Sequence, residues 1–219
     1  MYRGEISFAD FHFGNVLDWL RQSGKLDDML VVLTADHGEE FFEHGQRGHG
    51  KSVYEEVTHI PVILRYPPMF KAGQRRDEPV DMLDLTATVA LPGTGERPAG
   101  WLGRDLREHV EPRPIISTLL VGAKGSVTAL RLDGLKMIYD DTTGRASFFN
   151  LVNDTAEKWA LEGEAQSKAK ELLGGKMRDS LRVVQSIRDK KKWRHEDDET
   201  DKEVPEDVLR ALRALGYIE

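Results

Sequence analysis

An apolar run at residues 29–33, Met-Leu-Val-Val-Leu, stops at Thr34-Ala35 and delivers two ligand-type side chains, Asp36 and His37, followed at once by Gly38. A short aliphatic run without polar alternation has the pattern of a buried strand of a parallel sheet. In open α/β sheets the binding crevice lies beyond the carboxyl ends of the strands, where Asp36 and His37 fall. A carboxylate beside an imidazole suits a divalent cation that takes oxygen and nitrogen donors. Gly38 lets the chain turn sharply behind them. By itself, Asp-His-Gly equally describes a helix N-cap next to a surface histidine. The chemical reading rests on the residues downstream: His44, His49 and Lys51 within a loop at 38–53 that carries four glycines. A loop this long in a compact domain favours function over mere connection.

The flanking segments have their own signatures. Residues 5–22 set Ile6, Phe13, Leu17 and Leu20 at helical spacing, with Ala9 and Val16 on the same face and Gly24 suited to the C′ position. Asp10 and His12 read as polar residues of that helix rather than ligands. Val62-Ile63-Leu64 reads as a second buried strand. A helix is expected from Val80 to Val89, with Asp84 as its N-cap or a first-turn acid. From Pro114 the pattern changes to short β-type runs at 114–122, 126–132, 136–139 and 147–151, split by turns such as Asp133-Gly134. That predicts a small antiparallel sheet. A charged amphipathic helix follows at 163–186, then a charge-rich linker at 189–204 and a last helix at 205–215 opened by Pro205.

The stretch LTADHGEEFFEHGQRGHGKSVYEEVTHIPVILRYP resembles the C-terminal metal-site segment of sulfatases, within the alkaline phosphatase superfamily. In that family a strand ends in Asp-Asn-Gly or Asp-His-Gly, a glycine-rich loop carries His and Lys, and Tyr-Glu precedes a second strand introduced by a Val-Pro or Ile-Pro pair, here Ile60-Pro61. Phe148-Phe149-Asn150-Leu151 with Glu157, and the closing run at 209–217, also resemble family patterns, the latter an ending common in bacterial members. The resemblance implies an α/β fold: the C-terminal part of an alkaline phosphatase-like mixed sheet with flanking helices at 1–108, then a small antiparallel sheet with a packed helix at 109–188, then a linker and terminal helix at 189–219. It implies Asp36 and His37 as metal ligands, with Ca2+ the first expectation and Mn2+ or Zn2+ the alternatives that His37 brings in. His49 and Lys51 compete for the substrate-contact role. His44 is a weaker candidate, and His59 is expected to pack beside the strand.

Composition bears on mechanism through one absence. Cysteine does not occur in the 219 residues, so disulfides and thiolate chemistry are excluded and the redox compartment is not readable. The formylglycine of sulfatases is made from Cys or Ser in a Cys/Ser-x-Pro-x-Arg motif, and neither form is present. The expectation is therefore the C-terminal part of a sulfatase-like hydrolase of sulfate esters, inactive alone, whose formylglycine nucleophile and remaining ligands lie in a complementary N-terminal half. Two alternatives stay open: a phosphoryl-transfer member (phosphodiesterase, phosphonate monoester hydrolase or phosphoglycerol transferase) acting on phosphate esters, and a non-catalytic remnant or binding subunit. The net charge of −7 argues against nucleic acid as a partner. No apolar run approaches the roughly 20 residues that span a bilayer.

Overall fold

The computed structural model describes residues 2–96, 103–109, 112–122 and 125–197; the terminal helix expected at 205–215 lies outside them. The chain divides into two compact units, Met1–Lys176 and Met177–Glu219. In the second, the described residues are helical through Asp197. Among the described residues no helix is long and apolar enough to cross a membrane.

Helix α1 (Tyr2–Gln22) ends as its sequence requires. Gly24 adopts φ 67°, its N–H donates to the Arg21 carbonyl at 3.1 Å, and the Lys25 N–H reaches the Leu20 carbonyl at 3.0 Å, the paired bonds of a Schellman cap. The expected apolar face is buried only toward the C-terminus. Leu20 is buried, whereas Ile6, Phe8, Phe11, Val16 and Trp19 are exposed. Asp10 and His12 are exposed on this helix.

Strand β1 (Val31–Thr34) departs from the expected parallel arrangement. It is half-buried and pairs antiparallel with β4 (Val62–Arg65), Val31 opposite Arg65 and Thr34 opposite Val62. A parallel return needs a crossover of a dozen or more residues, usually a full helix. The connection here holds a two-stranded hairpin, β2 (Glu40–Phe41) with β3 (Arg47–Gly48), and a four-residue helix, α2 (Glu55–Thr58). It therefore brings the chain back along its own path. The 38–53 segment, expected as loop, is thus partly organised by β2 and β3.

Helix α3 (Met82–Thr94) is capped by Asp81, whose carboxylate accepts the N–H groups of Leu83 and Asp84, while the Asp84 carboxylate accepts the Asp81 N–H in return. This capping box places Asp84 at the third helical position. Its carboxylate, fully buried, accepts the Arg104 backbone N–H at 2.7 Å and pairs with the guanidinium groups of Arg104 and Arg113. Burial alone would raise its pKa; the Arg104 bonds outweigh that and hold it below the usual aspartate value.

Strands β5 (Ile115–Val121), β6 (Gly125–Leu132), β7 (Leu135–Asp140) and β8 (Arg145–Asn150) form an antiparallel meander in sequence order. Asp133 (φ 50°) and Gly134 (φ 75°) make the β6–β7 connection, a two-residue turn with both φ positive that matches the twist of its strands. Leu130, Phe148 and Phe149 are buried here, and the Leu161 N–H donates to the Phe148 carbonyl at 2.7 Å. Helix α4 (Gly163–Asp197) continues past the expected end at 186, and its Ala169 and Leu173 are buried.

Candidate metal centre

Strand β1 carries the chain into the turn that holds Asp36 and His37. The turn is locked from behind: the Gly38 N–H donates to the Val57 carbonyl at 2.8 Å, and a Cβ at Gly38 would lie 2.0 Å from the Glu56 carbonyl oxygen. Glycine is required there by backbone contact. Asp36 projects into solvent, its side chain 80% exposed, with Oδ1 accepting the His37 N–H at 2.9 Å. The His37 Nδ1 lies 2.8 Å from the Gly38 carbonyl. A carbonyl only accepts, so Nδ1 carries the proton and Nε2 presents its lone pair. That Nε2 is 3.7 Å from Asp36 Oδ2.

The β2–β3 hairpin supplies the next groups. Its hub is Glu40, fully buried. Oε1 accepts the Gln46 N–H at 2.8 Å and the His44 N–H at 3.1 Å; Oε2 accepts the Ser52 hydroxyl at 2.9 Å. Burial opposes the charge on Glu40, but these donors prevail and hold its pKa below the ordinary glutamate value. The hairpin so fixed brings His49 against His37, ring centroids 3.9 Å apart and 30° from parallel. Glu39 Oε2 accepts from His49 Nδ1 at 3.0 Å. One ligand atom from each of His37, Glu39 and His49 lies within 4.8 Å of the other two.

Of the residues singled out in the sequence, Asp36, His37 and His49 therefore gather at one place. Lys51 is exposed and its ammonium donates to the Arg47 carbonyl at 3.1 Å. His44 has a framing role: Nδ1 is 2.5 Å from Glu56 Oε1, Nε2 donates to the Glu157 carbonyl at 3.1 Å, and the ring stacks on Tyr54 at 3.6 Å. Burial alone would lower its pKa; the Glu56 bond and the Glu157 carbonyl outweigh it and raise it. His59 is exposed rather than packed beside the strand, 3.9 Å from Glu55. Glu39 and Glu40 follow the Asp-His-Gly triplet directly, and sequence reasoning passed over both; the signal available was their adjacency to it.

A second set of charges ties this region to the meander. Lys136 on β7, 1% exposed, pairs with Glu55 Oε1 and Glu157 Oε1, both at 2.9 Å. Arg131 on β6 pairs with Glu55 Oε2 at 2.9 Å. Glu157 Oε2 accepts the Glu55 N–H at 2.6 Å, at the start of α2. Burial pushes the Glu157 carboxyl up, with Lys136 opposing.

Solved structures share this architecture. That of BT4656 in complex with its substrate D-glucosamine-2-N,6-O-disulfate superposes with a TM-score of 0.63 at 20% identity, over 89% of this chain and 40% of that one. The phosphonate monoester hydrolase SpPMH from Silicibacter pomeroyi gives 0.58 at 25% identity, over 77% of this chain and 38% of that one. The fold is thus of the alkaline phosphatase-like class. Within it, residues 1–91 match the Sulfatase family model. The uncharacterized sulfatase YidJ of Escherichia coli (strain K12) is 32% identical over 111 residues, 50% of this chain and 21% of that protein. The chain is a sulfatase-like member of the alkaline phosphatase superfamily. It spans between 21% and 31% of the length of the first curated relatives it matches.

Proposed function

We propose that the chain supplies part of the active site of a metal-dependent hydrolase of sulfate esters, with Asp36 and His37 as ligands of a divalent ion and His49 and Lys51 toward the ester. The observation that carries this reading is the turn at 36–38, where a solvent-facing carboxylate and an imidazole with a free Nε2 are held on a backbone locked against α2. When bound, a divalent ion supplies Lewis-acid stabilisation of an ester oxygen. The Lys51 ammonium offsets charge growing on the non-bridging oxygens. His49, partly exposed, is within the same group and carries a proton at Nδ1 on Glu39. A sulfated sugar is the substrate of one fold neighbour, and sulfate esters are the class the family model favours. The nucleophile, a formylglycine in sulfatases, and further ligands would come from a complementary half outside these residues.

A phosphoryl-transfer activity is the second reading. Asp-His-Gly in place of Asp-Asn-Gly favours it, as does the likeness to a phosphonate monoester hydrolase. Metal content of the purified chain tests the shared part: Asp36→Ala with His37→Ala is expected to abolish divalent-ion binding, and undiminished binding overturns the assignment. Joined to a complementary half, hydrolysis of aryl sulfate against aryl phosphate separates the two readings. The 219-residue chain alone is expected to turn over neither.

A further inference from the structure

We propose that the ion at Asp36 and His37 is a borderline transition ion of the Zn2+ type, and that Glu39 and His49 of this same chain complete its ligand set. The proposal rests on the metal-site reading under Proposed function and adds the ion class and two ligands.

The donor set carries it. Ca2+ takes six to eight oxygens, whereas imidazole nitrogen suits Zn2+ and its neighbours. Two of the groups gathered here are imidazoles and two are carboxylates. The spacing agrees: Glu39 Oε2 and His49 Nδ1 lie 3.0 Å apart, Asp36 Oδ2 and His37 Nε2 3.7 Å apart, and the Glu39, His37 and His49 donors fall within 4.8 Å of one another. Donors of one tetrahedral zinc site lie about 3.4 Å apart, as follows from bonds of about 2.0–2.1 Å. The proton between Glu39 and His49 is the one an ion displaces, since ligands bind deprotonated. His37 is already oriented: its Nδ1 proton is engaged by the Gly38 carbonyl, the outer-shell bond that fixes a ligating histidine. The stacked rings must turn, because an imidazole binds along its ring plane. His49, with 41% of its side chain exposed, has room to do so. The hairpin beneath does not need to move, being held by the three donors on buried Glu40. On this assignment His49 serves the ion, and Lys51 is left to meet the ester.

The test uses the full 219-residue chain, freed of metal by chelation. Zn2+ and Ca2+ are titrated by calorimetry, and Co2+ by its visible absorption. Expected are at least 100-fold tighter Zn2+ than Ca2+ binding, a tetrahedral Co2+ spectrum, and a tenfold or greater loss of Zn2+ affinity in both Glu39→Gln and His49→Gln. Far-UV circular dichroism and Tm of both variants should match the parent, since neither side chain is buried. Absence of Zn2+ binding, Ca2+ bound as tightly as Zn2+, or Zn2+ affinity within twofold of the parent in either variant overturns the proposal. Asp36→Asn and His37→Gln then separate the two levels. If they abolish binding of the preferred ion while Glu39→Gln and His49→Gln do not, the Asp36–His37 site stands and this extension falls. If they too leave binding unchanged, both fall.

Discussion

Lys136→Met removes the cation at the centre of the buried charge set without changing side-chain volume greatly. Lys136 bridges two carboxylates at 2.9 Å and is 1% exposed. Glu55 keeps Arg131 at 2.9 Å after the change. Glu157 keeps the Glu55 N–H and loses its ion pair while remaining fully buried. The cost therefore concentrates on Glu157, in the range of about 3–5 kcal/mol found for breaking a buried pair on one side. With a urea m-value of ~2 kcal/mol/M, the midpoint falls by roughly 1.5–2.5 M at pH 7. The deficit should shrink with acid. Burial raises the Glu157 pKa even with Lys136 in place, and without it the carboxyl rises further. A carboxyl whose folded pKa exceeds its unfolded one takes up protons on folding, so stability is regained as pH falls through the folded value. Lys136→Met with Glu157→Gln leaves no buried charge unpaired, since the side-chain amide carbonyl introduced at position 157 still accepts the Glu55 N–H. The double variant should recover most of the loss. Urea unfolding of the three proteins from pH 5 to 8 measures this. A midpoint change below about 0.5 M at pH 7, a deficit that does not vary with pH, or failure of the double variant to recover refutes the reasoning.

Three further changes have defined outcomes. Gly38→Ala sets a Cβ 2.0 Å from the Glu56 carbonyl oxygen, a backbone clash expected to cost above about 3 kcal/mol and to lower Tm by more than ~6 °C; calorimetry finding an unchanged Tm contradicts the locked turn. Glu40→Ala leaves the His44 and Gln46 N–H groups and the Ser52 hydroxyl without their acceptor and should cost about 3 kcal/mol, while Glu40→Gln, which keeps an acceptor oxygen in place, costs less; equal losses on denaturation would show that charge alone matters. His44 has a raised folded pKa, so its contribution is complete below its unfolded pKa of about 6.5 and is lost as pH rises through the folded value; the midpoint gap between parent and His44→Gln should be widest near pH 6 and close toward alkali, and a gap that widens instead would count against the Glu56 pairing.

What the sequence disclosed was local. Gly24 after a periodic run and Asp133-Gly134 between β-type runs announce a cap and a hairpin because one residue's φ decides each. The strand at 31–34 was legible as a strand, but its partner was not: parallel or antiparallel pairing depends on how residues 35–61 fold back. Lys136 sits between Leu135 and Met137 in an alternating strand, the ordinary place for a solvated lysine. Its burial is decided by Glu55, 81 residues earlier. Asp81 and Asp84 both suit a helix start, and the choice between them is made by Arg104 and Arg113, far along the chain. At the site, the histidines stood out by residue type. Glu39 and Glu40 did not, because adjacent glutamates in a polar loop look alike until one is buried and the other is not.

That contrast explains which carboxylates near the turn are left for chemistry. A carboxylate whose oxygens are filled by protein donors in a buried place has no capacity for an ion. Glu40 holds two backbone N–H groups and a hydroxyl. Glu56 holds His44. Glu55 and Glu157 hold Lys136, Arg131 and the first N–H of α2. These four frame the loop from inside and from the meander side. Asp36 and Glu39 differ from them: Asp36 is mostly exposed, and each spends one oxygen on a light neighbour, the His37 N–H and the His49 ring. The imidazoles divide the same way, His44 having both nitrogens engaged while His37 keeps Nε2. The groups with coordination capacity to spare are thus those clustered outside a frame fixed by buried acids, the arrangement that holding a cation without rebuilding the loop requires.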